Sequence, residues 1–350
     1  MKQLFDYLGN KAALIITPEN RRYLTGFFST DGYVFAAGGE LIFLIDGRYH
    51  EAAEKAVTSA KVVLLEDAKK QIKELFANSG CEEILLETLI TVEEAERMAE
   101  IAPAKPDKGM TKCILDMRAV KREDETEKII KAQRIAEKAF LHMIDFIAPG
   151  QTEREIGLEL DYFMLKNGAE ALSFETIAVS GPNTSLPHGV PGERVVQNGD
   201  FITLDFGAVY EGYHSDMTRT VALGYATDEM KEIYNTVYTA AQKAIDATAA
   251  GVRAADVDKC ARDHIENAGY GKYFNHGTGH GVGIEIHEAP TVSFRAGDTL
   301  LESGHIITIE PGIYIPEKFG VRIEDMLLVT DSGYENLTKA EKELIIVKPV

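Results

Sequence analysis

The stretch FITLDFGAVYEGYHSDMTRTV, residues 201–221, and its counterpart IITIEPGIYIPEKFGVRIEDMLLV, residues 306–329, decide how this chain is read. In the first, LDF ends an apolar strand, the segment from Gly207 to Gly212 turns, and Asp216 stands on the returning strand. In the second, Glu310 closes one strand, the segment from Pro316 to Gly320 turns, and Glu324 lies on the way back. Each hairpin therefore offers a carboxylate on both arms: Asp205 and Asp216, then Glu310 and Glu324.

Carboxylates set among Ile, Leu, Phe and Val are costly to bury singly, because an unpaired charge out of water either takes up a proton or finds a counter-ion. Two divalent cations supply that counter-ion: four carboxylates and two such ions cancel, and neutral His280, between the hairpins, completes the set. An oxygen-rich shell with one imidazole suits manganese first, with cobalt or zinc as alternatives, and no thiolate takes part. A pair of ions about 3.5 to 4 Å apart can generate hydroxide near neutral pH and clamp the tetrahedral intermediate of acyl transfer. Amide hydrolysis is the reaction this chemistry suits.

The segment HGTGHGVGIEIHE, His276 to Glu288, resembles the signature of the metallopeptidases that include prolidase and aminopeptidase P. The hairpin carboxylates stand in that family's order. The resemblance is strong from about residue 121 to 329. It is looser over the first third, where PENRRYLTGF and DGRYHEAA look like the family's leading domain. Five ligand types in order, each in its strand or loop context, are far more specific than a lone His-x-x-x-His.

The resemblance implies an α+β chain: a C-terminal pita-bread domain, residues 122–350, behind a smaller α/β domain, residues 1–121. It implies that Asp205 binds one metal, that Asp216 and Glu324 bridge two, and that His280 and Glu310 hold the other. Glu310 would also move the proton from the attacking water to the leaving nitrogen. His188, in SLPHGV, matches the family's substrate-side histidine, and His276 and His287 match two more around the site; these would orient the scissile carbonyl and stabilise its oxyanion. Arg322, two residues before Glu324, points to the same side of the strand and would brace a ligand carboxylate. Homodimerisation and proline-containing peptide substrates are implied in the same way.

Substrate length is a finer question. A dipeptidase binds a free proline carboxylate, normally through an arginine fork. In some prolidases that arginine closely follows the His-Glu pair, whereas this chain reads HEAPTVSFR, with Thr291 in the near position and Arg295 the first arginine available. The departure favours aminopeptidase P, whose substrates continue past proline.

Competing readings leave traces that can be checked. A metal-free relative, either a creatinase-like hydrolase or a peptide-binding module, normally lacks one or more ligands, and here all five positions are filled. A methionine aminopeptidase shares the metal set but has no need of the N-terminal third. The glycines of HGTGHGVG do not form a phosphate cradle, since no Lys-Ser/Thr follows and no strand-to-helix context surrounds them. His50, His142, His214, His264 and His305 are read as surface or packing residues. Arg48, in DGRY, is read as structural or at a subunit contact.

Composition sets outer bounds. The 350 residues are 45% hydrophobic, enough for two cores. A formal net charge of -19 argues against nucleic acid or an anionic membrane as partner. The beginning MKQLFDYLGNKAALIIT has no basic segment followed by a sustained apolar run, and no stretch approaches a membrane span. Cys81, Cys113 and Cys260 are few, odd in number and widely spaced, as expected of reduced thiols in a cytoplasmic protein.

Along the chain, ALIIT, YVFAA and LIFLID read as strands, with a hairpin turn in AAGGEL. Thr91 and Glu94 form a capping box for a helix, and PAKPDKG, residues 103–109, reads as a loop. From Arg122, apolar residues at helical spacing (Ile129, Ala132, Ala136, Phe140, Met143, Ile147) run to a stop at Pro149-Gly150. Thr152 and Glu155 cap a second helix. A second helix pair, about 230–248 and 255–268, precedes the histidine segment. The pattern of two helices followed by a ligand hairpin thus occurs twice.

Overall fold

A computed structural model describes residues 1–348. The chain divides into two compact units, the first Met1–Arg118 and the second beginning at Ala119.

The first unit is built on a six-stranded mixed sheet in the order Lys61–Leu64, Glu40–Ile45, Tyr33–Ala37, Ala12–Ile15, Ile84–Leu86, Ala104–Pro106. Both faces are covered, which explains why its strands read as unbroken apolar runs. Ala13 and Ile15 enter one core with Leu4, Val34 and Phe43, while Ala12 and Leu14 enter the other with Phe35, Ile72 and Met98. The turn at Gly38-Gly39 joins Tyr33–Ala37 to Glu40–Ile45, both glycines having positive φ as a tight hairpin requires.

The expected loop at residues 103–109 is a correction. Ala104–Pro106 is an edge strand parallel to Ile84–Leu86, where a proline is tolerated, and a helix, Lys108–Ala119, starts at once. The helix signal is Asp107, whose Oδ1 accepts from Met110 N at 2.7 Å; the flanking proline and glycine obscured it.

In the second unit, two helix pairs each cover their own sheet. Glu123–Phe146 and Glu153–Lys166 pack through Ala136, Phe140, Met143, Ile156 and Leu160 onto the sheet of Ile177–Ser180, Phe201–Phe206, Met217–Leu223 and Ile346–Val347. Asp228–Asp246 and Ala254–Asn267 pack through Ile233, Val237, Val257 and Ala261 against residues of the sheet of Glu288–Val292, Gly279–Gly281, Ile306–Ile309, Asp325–Thr330 and Gly333–Asn336. The capping boxes at Thr91/Glu94 and Thr152/Glu155 are both formed.

Both ligand hairpins break in the middle, in the same way. The first pairs Phe206 with Met217, stops, and resumes as a small ladder with Val209 opposite His214. The second pairs Ile309 with Asp325, stops, and resumes with Gly312 opposite Arg322. Asp216, Glu310 and Glu324 stand in these interruptions, just outside the strands to which the sequence reading assigned Asp216 and Glu310. The breaks have local causes. A Cβ at Gly207 would lie 1.9 Å from Ser215 O, so only glycine allows the arms to cross there, and Pro311 has no N–H for a ladder.

Candidate metal centre

Asp205, inside Phe201–Phe206, faces Thr218 of the neighbouring strand in register. Asp216 and Glu324 are buried. Glu324 is held from both sides of its residue: its N–H donates to Thr218 O at 3.1 Å and its Oε2 accepts from Thr218 Oγ1 at 2.7 Å. Glu310 is tied to the histidine segment by its N–H, which donates to Thr278 O at 2.7 Å. His280, on the short strand Gly279–Gly281, brings Nε2 to 3.6 Å from Asp216 Oδ2 and 3.5 Å from Glu310 Oε1. Among the described residues, ligand atoms of Asp216, His280 and Glu324 all lie within 4.8 Å of one another.

The protonation of this cluster tests whether a metal fits. Burial pushes His280 down to about 4, so its imidazole is neutral at physiological pH. Its Nδ1 lies 3.0 Å from Gly281 O, a contact that places the ring proton on Nδ1. The Nε2 lone pair therefore faces the carboxyl groups of Asp216 and Glu310. Burial and mutual repulsion push the Asp216 and Glu324 carboxyls well above their usual range, and burial pushes Glu310 up to about 8. A convergence of buried carboxyl groups on a neutral imidazole, each carboxyl resisting its own charge, is satisfied by cations. The donor set of carboxylates plus one imidazole fits hard or borderline divalent ions.

Among the described residues, Arg322 is the one cation within the cluster. It is fully enclosed, pairs through Nη2 with Asp205 Oδ2, and donates to Tyr314 OH at 2.8 Å, Thr218 Oγ1 at 3.1 Å and Pro187 O at 3.3 Å. Burial opposes its charge, but Tyr314, Asp205 and Glu310 outweigh that and keep it protonated. This corrects the charge count made from the sequence, which set four carboxylates against two ions and omitted Arg322. With its guanidinium included, the fully ionised set of four carboxylates and Arg322 carries a net charge of -3 rather than -4.

The three histidines take different places. His276 is half-buried; its Nδ1 contacts Gly277 O at 2.8 Å, and its Nε2 accepts from Tyr314 OH at 3.0 Å. Burial lowers it to about 4, so it too is neutral. His287 is exposed, its ring centroid 4.4 Å from that of His280. His188 is exposed on the loop after strand Ile177–Ser180, directly following the Pro187 carbonyl that Arg322 holds. Of the remaining histidines, His142 stacks on Phe163 with centroids 4.2 Å apart, and His214 Nδ1 meets Ser173 Oγ at 2.9 Å. Thr291 is exposed, and the Arg295 guanidinium lies over the Phe294 ring, 5.0 Å from its centroid.

Two groups were missed from sequence. Tyr314 links His276 to Arg322, and its phenol is kept neutral by burial, which raises it to about 12. Its signal was the Gly-x-Tyr alternation: a Cβ on Gly312 would collide with the Tyr314 ring. Asp258, buried on Ala254–Asn267, accepts from Thr278 N at 3.1 Å and Thr278 Oγ1 at 2.9 Å and pairs with Arg262, which in turn donates to His276 O at 2.7 Å. No spacing rule joins residues 258 and 278; only the packing does.

Residues 127–331 match the model of metallopeptidase family M24, and residues 2–120 match the creatinase/prolidase N-terminal domain. The chain belongs to metallopeptidase family M24. It is 38% identical to an Xaa-Pro dipeptidase of Pyrococcus horikoshii, over 99% of this chain and 98% of that protein. The structure of an Xaa-Pro dipeptidase from Bacillus anthracis superposes with a TM-score of 0.94 at 41% identity, covering 99% of this chain and 98% of that one. An X-Pro aminopeptidase from Thermotoga maritima gives 0.91 at 34% identity, covering 98% and 99%. The M24 architecture here is the pita-bread fold behind a creatinase-type leading domain. Both competing readings set aside from sequence, the metal-free relative and the methionine aminopeptidase, lose ground to relatives of this name matched over both units.

Proposed function

We propose that this protein is a dinuclear metal-dependent exopeptidase that hydrolyses the bond between an N-terminal residue and proline. The observation that carries the reading is the neutral imidazole of His280 directed, lone pair first, at Asp216 and Glu310. Asp205, Asp216, His280, Glu310 and Glu324 would hold two divalent ions, manganese first. When bound, the ions supply Lewis acidity, polarising the scissile carbonyl and making water nucleophilic near neutral pH.

The chain's own residues do the rest. Glu310 accepts the proton of the attacking water and delivers it to the proline nitrogen as the C–N bond breaks. His188 and His287, exposed at the rim, orient the carbonyl and hydrogen-bond its developing oxyanion. The hydrogen-bonded line of His276, Tyr314, Arg322 and Asp205 fixes these groups without having to move during turnover.

Relatives named Xaa-Pro dipeptidase support dipeptides as substrates. A second reading, in which the peptide continues past proline, is favoured by Thr291 and by the engagement of Arg322 and Arg295 with partners of their own. The test is competition between equimolar Ala-Pro and Ala-Pro-Ala on manganese-reconstituted protein, with a chelated control. Preferential dipeptide cleavage supports the first reading and preferential tripeptide cleavage the second; cleavage that survives chelation refutes both.

Free Cys81, Cys113 and Cys260 support a reducing, cytoplasmic location, and no helix among the described residues is long and apolar enough to cross a membrane. Homodimerisation rests on the family resemblance.

A further inference from the structure

The loop that carries His188 is clasped by a single buried carboxylate. Glu153 is the first residue of the helix Glu153–Lys166 and is 1% exposed. Its Oε1 accepts from Ser180 N at 2.7 Å, Ser180 Oγ at 2.9 Å and Asn183 Nδ2 at 3.0 Å. Its Oε2 accepts from Asn183 Nδ2 at 3.1 Å and Gly192 N at 3.2 Å. One group thus holds the loop where it leaves the strand Ile177–Ser180 and again where it returns. The helix backbone joins in, with Glu153 N donating to Arg194 O and Arg154 N to Gly192 O, each at 3.0 Å. A carboxylate is well placed here, since the N-terminus of a helix favours negative charge.

The same loop reaches the metal centre from its other side. Gly320 N donates to Thr184 Oγ1 at 2.8 Å, and Arg322 donates to Pro187 O at 3.3 Å. His188 is the next residue. It lies near enough to His276 that a charge on His188 would disfavour a charge on His276. Its backbone is therefore fixed between the clasp at Glu153 and the site at Arg322, although its side chain is exposed.

We propose that Glu153 is a positioning residue for His188: by holding both ends of the loop it sets where the imidazole stands relative to the scissile carbonyl. The chemistry calls for a carboxylate specifically. Every contact is a donor, and a carboxylate is acceptor-only; a glutamine amide would turn an N–H toward either the Ser180 or the Gly192 end and release it. The proposal rests on the reading of His188 as catalytic.

The test is a double-mutant cycle on the full-length, manganese-loaded protein with Ala-Pro as substrate, using Glu153→Gln, His188→Ala and the pair. Glu153→Gln is expected to lower kcat by about 10- to 100-fold, the cost of an ångström-scale displacement of a catalytic group, with KM and bound manganese unchanged. In the His188→Ala background the same substitution is expected to change kcat less than about twofold, because its target is gone. Limited proteolysis of the loaded protein supplies a readout apart from activity: cleavage beside exposed Leu186 and Val190 is expected to accelerate in Glu153→Gln while the rest of the chain stays intact. Should Glu153→Gln fail to fold, Asn183→Ala removes one donor and leaves the carboxylate satisfied; a smaller fall, about threefold, is then expected, again absent without His188. Equal losses of kcat in both backgrounds, or no loss in the first, overturn the role of Glu153. Full activity in His188→Ala alone overturns the reading of His188 and the proposal with it.

Discussion

Replacing Glu310 by glutamine separates what the carboxylate cluster costs the fold from what it does in catalysis. In the metal-free protein the Glu310 carboxyl is pushed from an ordinary 4.5 up to about 8, chiefly by burial, with Arg322 opposing and Asp205 adding to it. That difference is worth about 5 kcal/mol of folding free energy, taken as an upper bound. The folded chain binds the proton more tightly than the unfolded one. This contribution is therefore fully present below about pH 4.5 and is lost as the pH rises through about 8. Asp216 and Glu324, raised in the same sense, steepen the fall. Glutamine has nearly the same shape and no charge to bury, so at pH 8 the chelated variant should be more stable than the chelated parent, by about 2–5 kcal/mol. For a unit of this size that is roughly 5–15 °C in Tm. At pH 5 the two should melt together. With manganese the order reverses, because the ions replace the missing protons in the parent and find one ligand charge fewer in the variant, which also ceases to turn over. Differential scanning calorimetry with and without chelator at both pH values makes the measurement. The reasoning is refuted if the chelated variant melts at or below the parent at pH 8.

Other substitutions divide the site by role. Asp216→Ala should lose manganese as well as activity, measured by atomic emission after desalting; full metal content would remove Asp216 from the ligand set. His188→Ala should keep its metal and lose kcat, whereas loss of metal would make His188 a ligand. Arg322→Met leaves Asp205 and Tyr314 without their cation and should destabilise the loaded protein by about 3–5 kcal/mol, the usual cost of removing one member of a buried pair. Arg322→Lys should rescue this only in part, since an ammonium cannot reach Asp205, Tyr314 and Thr218 from one planar fork, and a lysine variant as stable as the parent would contradict that.

What was legible in the sequence were features with a local signature. The four carboxylates declared themselves because charged residues interrupted apolar strands at matching places in two hairpins, and the capping boxes at Thr91 and Thr152 because their partners are three residues away. What was hidden depended on the chain folding back on itself. The Asp258–Thr278 contact and the Glu153 clasp join residues that no periodicity relates. The charge of Arg322 was seen, but only the packing showed it enclosed among the carboxylates, and the balance struck without it was off by one. The helix Lys108–Ala119 was lost to the proline and glycine of PAKPDKG, although Asp107 supplied a cap.

The most direct test of the account is the release of free alanine from Ala-Pro, Ala-Pro-Ala and Ala-Ala, each incubated with manganese-reconstituted protein and with the same protein after chelation. The account predicts rapid release from at least one proline peptide, little from Ala-Ala, and none from any after chelation. Release that chelation does not affect, or Ala-Ala cleaved as fast as the proline peptides, would contradict it.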